Sequence, residues 1–484
     1  MEKHKLTRRD LLKGFAAVGI TAAIAGCGPT ATPEPTKAAE AAPTQAVEVA
    51  TPEQPKVTVP EGTVDNHDVF QPLMPKNEKL TLGFWDSCAS QRTNVIYDEY
   101  IKKWNDFYPD VPIDRQHGQS KENYLAAATA GSPPDVWHGG WDPEMFGNYA
   151  ANDVIIPLDD FIAEVKFPLD RFLPGALDNA TMNGKIWGLP EGFAVFTLWT
   201  HPQQWQEIGH PEPPKDTDDM LQMSAKLTKT DASGNVTRLG FQLPNWFWPQ
   251  MGWMAAYGGP VWDKQKNEPT PDHPGVIKAL QSLVDTAKAY GVDKMDAWLA
   301  SIGSQTGAQM PYMTGDLSMY IDGNYADQYP AELAPDWVFG KDYGSIPIPF
   351  APKEQQAGDP TVALWAYPLA ISKASKYRRW AFELIRFIQS REYIVPMNVA
   401  SRDLPAVIAY IKDPRFTNGS AQVTRMIIDN NIPTAASLPM HPAVGEYASK
   451  LGMAVDDIIH LKKTPEQAMA DLKTEIQKVM SETR

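Results

Sequence analysis

The sequence predicts an α/β protein of two lobes, each a mainly parallel sheet flanked by helices, joined by a hinge. Three observations carry this. Between Leu80 and Trp137 the hydrophobic pattern runs strand, helix, strand, helix, strand, the alternation of a parallel α/β layer. At Asn183-Gly184 a tight-turn signal precedes breaks at Gly188 and Pro190, and the apolar run Phe193–Trp199 follows. Such a run after a break fits a chain leaving one core for another, although an ordinary hairpin within one domain fits it equally. A chain of 484 residues also has room for two cores.

Residues 1–27 read as an export signal. Lys3, Lys5, Arg8, Arg9 and Lys13 form a basic start, and the apolar stretch Gly14–Gly26 is too short for a stable membrane anchor. Thr7-Arg8-Arg9-Asp10-Leu11-Leu12-Lys13 resembles a twin-arginine signal, with Leu at the usual Phe position. Ile24-Ala25-Gly26-Cys27 resembles a bacterial lipobox, which implies lipidation of Cys27, cleavage before it and attachment to a membrane. The other cysteine is Cys88, so no intramolecular disulfide is expected in the mature chain. Residues 28–77 are rich in Pro, Thr, Ala and Glu, bury too little apolar surface to offset ordering, and read as a disordered tether.

Folding is expected from Glu78. Leu80, Leu82 and Phe84 alternate as a strand, and a polar loop follows at Trp85–Ser90. Ile96, Tyr97, Tyr100, Ile101, Trp104 and Phe107 have helical spacing, ended by Pro109. After a strand at Val111–His117, Ser120 caps a helix that Gly131 stops. Val136-Trp137 leads into the loop His138-Gly139-Gly140-Trp141-Asp142. Ligands of parallel sheets lie beyond the C-terminal strand ends, which selects the loops at Trp85–Ser90, Gln119 and His138–Asp142. Farther on, Thr217 is the candidate cap of a helix through Lys226. Asp231–Asn235 reads as a hairpin turn, since Gln242 stands where a calcium loop needs Glu. Asn245-Trp246-Phe247-Trp248-Pro249 precedes a helix ending at Gly258-Gly259, and a structural helix is expected over Asp272–Tyr290. A second crossing strand is expected at Leu364–Ile371, then a helix over Ser375–Ser390. Thr464-Pro465-Glu466-Gln467 is a capping box opening the last helix.

Several of these stretches share a family resemblance. The turn Gly184-Lys185-Ile186-Trp187-Gly188-Leu189-Pro190 with its apolar strand resembles the first interlobe crossover of extracellular solute-binding proteins, the substrate receptors of sugar ABC importers. Pro134-Asp135-Val136-Trp137 resembles that family's strand into a ligand loop. The helix ending in Gly258-Gly259, with aromatic residues ahead of it, is similar to a family element with ligand contacts. Met313-Thr314-Gly315-Asp316-Leu317-Ser318-Met319 with Gly323-Asn324-Tyr325 resembles a further family motif, with Tyr325 in place of Trp. The resemblance implies a maltose-binding-protein-like, periplasmic-binding-protein fold. One lobe would comprise residues 78–192 plus 366–415, the other 193–365 plus 416–484. It also implies a monomeric, lipid-anchored receptor outside the cytoplasm that takes a sugar between its lobes to membrane permease subunits.

Chemical motifs are otherwise sparse. No nucleophile elbow, phosphate-cradling loop or His-Glu-x-x-His pair occurs, and the nine His lack metal-ligand spacing, so neither metal nor cofactor is expected. A net charge of −15 argues against nucleic acid as a partner. Cys88 has no basic helper in sequence and reads as an inert thiol. The residues selected for ligand binding are Trp85, Asp86, His138, Trp141, Asp142, Glu191, Trp246, Trp248, Tyr325 and Trp365: aromatics to stack on sugar faces, carboxylates and His to fix hydroxyls. For each Trp, core packing is the competing reading. Two other functions stay open: a secreted carbohydrate-active enzyme using Asp86, Asp142, Glu191 or Asp322, and the same fold binding a polyol phosphate or peptide.

Overall fold

Two long strands, Leu189–Thr200 and Val362–Ile371, carry the chain between two hydrophobic cores. They are seen in a computed structural model that describes residues 68–88, 90–139, 142–302, 307–352, 362–416, 419–431 and 435–482. The expected export signal with Cys27, the expected tether as far as residue 67, and Trp141 lie outside the described residues.

Strand alternation makes the crossing possible. On the first crossing strand Phe193 and Val195 enter one core, while Ala194, Phe196 and Leu198 enter the other. The second crossing strand repeats this, with Leu364 and Ala366 in the first core and Ala363 and Trp365 in the second. The two strands are antiparallel, with Leu364 opposite Val195 and Trp365 opposite Ala194.

In the first lobe β1 (Leu82–Asp86) lies parallel to β2 (Ile113–Gln116) on one side and β3 (Val136–His138) on the other. This is the parallel alternation expected from the sequence. Around the crossing strands antiparallel pairs are added, because a chain that leaves a lobe on one strand and returns on its neighbour must reverse direction. The second crossing strand is thus antiparallel to β3, and in the second lobe Met319–Gly323 and Gly344–Ile346 are antiparallel to the first. Ala435–Ala436 runs parallel to the start of the second crossing strand.

Local signals explain most boundaries. Asn183 and Gly184, at φ 54° and 71°, turn the chain between Thr181–Met182 and Lys185–Ile186. Ser120 accepts from the Asn123 N–H at 3.3 Å, and Gly131 ends that helix at φ 79°. Thr464 and Gln467 cap the helix Pro465–Glu482 reciprocally, each backbone N–H bonding the other's side chain at 3.3 Å.

Four expectations are corrected. The tether ends earlier than residue 77: Phe70 and Met74 are buried, Phe70 meets Phe107 and Phe387 edge-on at 5.1 Å, and the Leu73 N–H bonds Glu383 at 2.7 Å. A few apolar anchors suffice there because a finished core receives them. The first crossing strand begins at Leu189, not after the Pro190 break. Pro190 is tolerated because it sits opposite Pro368, where the register shifts. Gly192 is required by close approach, since a Cβ there would stand 2.2 Å from Asn398 Oδ1. The helix cap near Thr217 is Asp216, whose carboxylate accepts from the Asp219 N–H at 2.8 Å. The helix expected over Ser375–Ser390 is shorter, Arg378–Ile388. Among the described residues no helix is long and apolar enough to cross a membrane.

Candidate functional site

Two cavities share Tyr325 as a wall. The inner one, about 70 Å³, is bounded by Cys88, Tyr97, His138, Glu191, Tyr367 and Asp403 of the first-lobe side and by Tyr325 and Gln328 of the second. The outer one, about 270 Å³, is lined by Asn245, Trp246, Asp322, Tyr325 and Tyr329, among others. The fold explains why these groups converge. His138 closes β3 at its C-terminal end, where parallel sheets present ligand groups. Glu191 is the third residue of the first crossing strand, Tyr367 belongs to the second, and Asp403 follows the helix Arg391–Ser401. Tyr325 follows the strand Met319–Gly323, and its hydroxyl bonds Asp322 at 2.7 Å.

The inner cavity is rich in titratable groups with little water to solvate them. Burial, then the neighbouring Asp86 and Asp403, push Glu191 up to about 8. Burial pushes Asp403 up to about 8 as well, although Tyr367 donates to it at 3.0 Å. Burial, with Arg115 nearby, lowers His138 to about 3, so its ring is neutral. His138 Nδ1 lies 3.3 Å from the Tyr97 hydroxyl and Nε2 lies 3.1 Å from Glu191 Oε2. Burial also pushes the Cys88 thiol well up, which keeps it protonated and unreactive. In the outer cavity, burial raises Asp322 to about 6.

The structure divides the ten selected residues into groups. His138, Glu191 and Tyr325 line the inner cavity, and Trp246 lines the outer one beside Tyr325. Trp246 is 37% exposed and meets Phe196 and Trp365 edge-on at 5.8 and 5.9 Å. Trp248 and Trp365 are buried in a parallel stack behind that wall, 5.4 Å apart, with Phe196 6.1 Å from Trp248. Trp85 packs with Trp137 and Tyr124 in a separate cluster of the first lobe. Asp86 is fully buried and takes two bonds from Arg115, at 2.7 and 3.1 Å. Asp142 pairs with Lys121 at 2.7 Å. Two residues on, Glu144 accepts a hydrogen bond from the Trp248 side chain and is raised by burial to about 7. The loop after β3 therefore does touch the second-lobe helix Phe247–Ala256, through Glu144.

Asp403, Tyr367, Asn398 and Asn245 also line the cavities and were not selected from the sequence. Tyr367 had a usable signal: it stands two residues beyond Trp365 on one strand, and so on the same face. Asp403 had none, because its partner Asn324 lies in a distant part of the chain.

Residues 90–394 match the family model described as bacterial extracellular solute-binding protein. A probable ABC transporter-binding protein of Deinococcus radiodurans is 22% identical over 259 residues, 52% of this chain and 57% of that protein, so the match spans little more than half of that relative. An arabinooligosaccharide-binding protein of Bacillus subtilis is 23% identical over 341 residues, 66% of this chain and 71% of that protein. A solved structure with mannotriose bound is similar with a TM-score of 0.71 and 22% identity, over 82% of this chain and 100% of that one.

Proposed function

The chain belongs to the bacterial extracellular solute-binding proteins, and from that premise we propose that it binds a carbohydrate between its lobes and delivers it to the permease of an ABC importer. The observation that carries this reading is the pair of cavities sharing Tyr325, one of them walled from both lobes, with the Trp246 ring exposed in the other. A pyranose has an apolar C–H face that an aromatic ring covers and a rim of hydroxyls that carboxyl, amide and imidazole groups satisfy. The relatives named for arabinooligosaccharide binding and solved with mannotriose support a sugar, and an oligosaccharide in particular. A ligand touching both walls favours the closed arrangement by the contacts that it makes only there.

The test is a thermal-shift screen over mono- and oligosaccharides, followed by calorimetric titration of any that raise the melting temperature. A stabilising sugar with 1:1 stoichiometry is the expected result. Failure of every sugar to shift the transition would overturn the reading. An oligosaccharide left with the protein should be recovered uncleaved; turnover would favour the carbohydrate-active enzyme. The lipid anchor is part of the same proposal, from Ile24-Ala25-Gly26-Cys27: Cys27→Ala should move the exported protein from membranes to the soluble fraction. Persistent membrane attachment of that variant would count against the anchor. The protein would thus act as a monomer at the outer face of the cell membrane.

A further inference from the structure

Glu191 is the anomaly of the inner cavity. It is 2% exposed, and among the described residues neither carboxyl oxygen has a hydrogen bond of good geometry, although His138 Nε2 stands 3.1 Å from Oε2. That ring is neutral, so it brings no charge to Glu191. Among the described residues, the cation that acts on Glu191 is Arg115, already committed to Asp86 through two bonds. Tyr97, Tyr393 and Cys88 also face it, and burial keeps all three protonated. Asp403, 5% exposed, shares the cavity, and its donors among the described residues are neutral: Tyr367 at 3.0 Å, Asn324 at 3.4 Å and Ser401. Leaving a buried carboxyl without donors costs stability, so this arrangement is paired with something that arrives later.

Resting on the carbohydrate reading above, we propose that the inner cavity is a specificity pocket for a protonated amino group, so that the preferred ligand is a sugar bearing a free, unacetylated amine. An ammonium group offers three donors in a compact shape, enough for Glu191 and Asp403 together. A hydroxyl offers one donor and leaves a carboxyl oxygen bare. An acetamido group also offers one donor and adds bulk to a cavity of about 70 Å³. Charge-assisted hydrogen bonds are roughly twice as strong as neutral ones, and more so where water is excluded. Because Glu191 and Asp403 are both raised to about 8, the empty pocket holds protons at neutral pH, and an arriving ammonium displaces one.

The test is calorimetric titration of the full chain at pH 7 with matched sets: glucose, mannose and galactose and their 1,4-linked disaccharides, each as the neutral, 2-amino and 2-acetamido form. Two buffers of different ionisation heat report proton release. The best amino ligand should bind about tenfold more tightly than its neutral and acetylated counterparts and release a proton. Glu191→Gln should bring the ratio between amino and neutral forms close to one and abolish the release. Asp403→Asn provides the same readout should the first variant not fold. A neutral sugar that binds as tightly as its amino counterpart overturns the pocket while leaving carbohydrate binding intact, as does a preference that survives both substitutions. Binding of no sugar at all overturns both readings.

Discussion

The inner and outer cavities share one wall and differ in what that wall leaves unsatisfied. In the outer cavity Asp322 is already bonded by Tyr325, and Trp246 presents a ring braced edge-on against Phe196 and Trp365. A ligand there gains area against that ring, and the buried group left to satisfy among the described lining residues is a neutral one, the Tyr320 hydroxyl. In the inner cavity, among the described residues, both oxygens of Glu191 lack a well-directed donor, so a ligand there is judged on its hydrogen bonds. The outer cavity is built to hold rings of similar shape, the inner to distinguish among their substituents. An unpaired buried group discriminates more sharply than an apolar surface does.

The contrast is most exposed to test at Trp246 and Trp248, two residues apart and on opposite sides of the wall. Trp248→Ala removes one ring of a buried three-ring cluster with Phe196 and Trp365 and should lower unfolding stability by about 3–5 kcal/mol in a denaturant titration. Trp246→Ala should leave the unliganded melting curve nearly unchanged and weaken sugar binding by about 1–2 kcal/mol, or roughly 5- to 30-fold. The reverse pattern, with Trp248→Ala affecting affinity and Trp246→Ala affecting stability, would erase the distinction between wall and backing.

The third prediction concerns pH. Glu191 and Asp403 are raised to about 8 in the fold, Glu144 to about 7 and Asp322 to about 6, so the folded chain holds protons that the unfolded chain has released. Their contribution to stability is full below about pH 4 and is lost as pH rises through 6 and then 8. The melting temperature of the unliganded protein should therefore decline between those values, and Glu191→Gln should flatten the decline near pH 8. A wild-type curve that stays level there would mean that Glu191 is ionised in the empty cavity. The smallest effect is expected at Asp142, whose pair with Lys121 is partly exposed. Asp142→Asn should cost about 0.2–1 kcal/mol of stability, less at high salt, and change affinity less than twofold. A larger loss of affinity would extend the site outward along the loop after β3.

The residues that shape the backbone were legible because their causes are local. Asn183-Gly184 specifies its turn through positive φ, Ser120 and Gly131 bound their helix, and Thr464 with Gln467 caps the last one. The apolar run beginning at Phe193 marked the passage between cores because a strand buried on both faces lacks polar alternation. Where locality failed, the expectation shifted: Pro190 reads as a break until Pro368 is seen opposite it, and Phe70 reads as tether until Phe387 receives it.

The site divides along the same line. Sequence placed His138, Glu191, Trp246 and Tyr325 as candidates from strand ends and motif positions, and these four line the cavities. It could not separate Trp246 from Trp248 or Trp365, since identical side chains in one apolar context differ only in what packs around them. Nor could it show that Asp86 is neutralised by Arg115 while Glu191 has the neutral His138 beside it. The sequence by itself determined the strand–helix alternation of the first lobe, the Asn183-Gly184 turn and the caps at Ser120 and Thr464, all set by residues within a few positions of one another. Only the tertiary structure decided which carboxyl is paired, which is orphaned and which indole is exposed, because burial and hydrogen bonding depend on neighbours brought from distant parts of the chain.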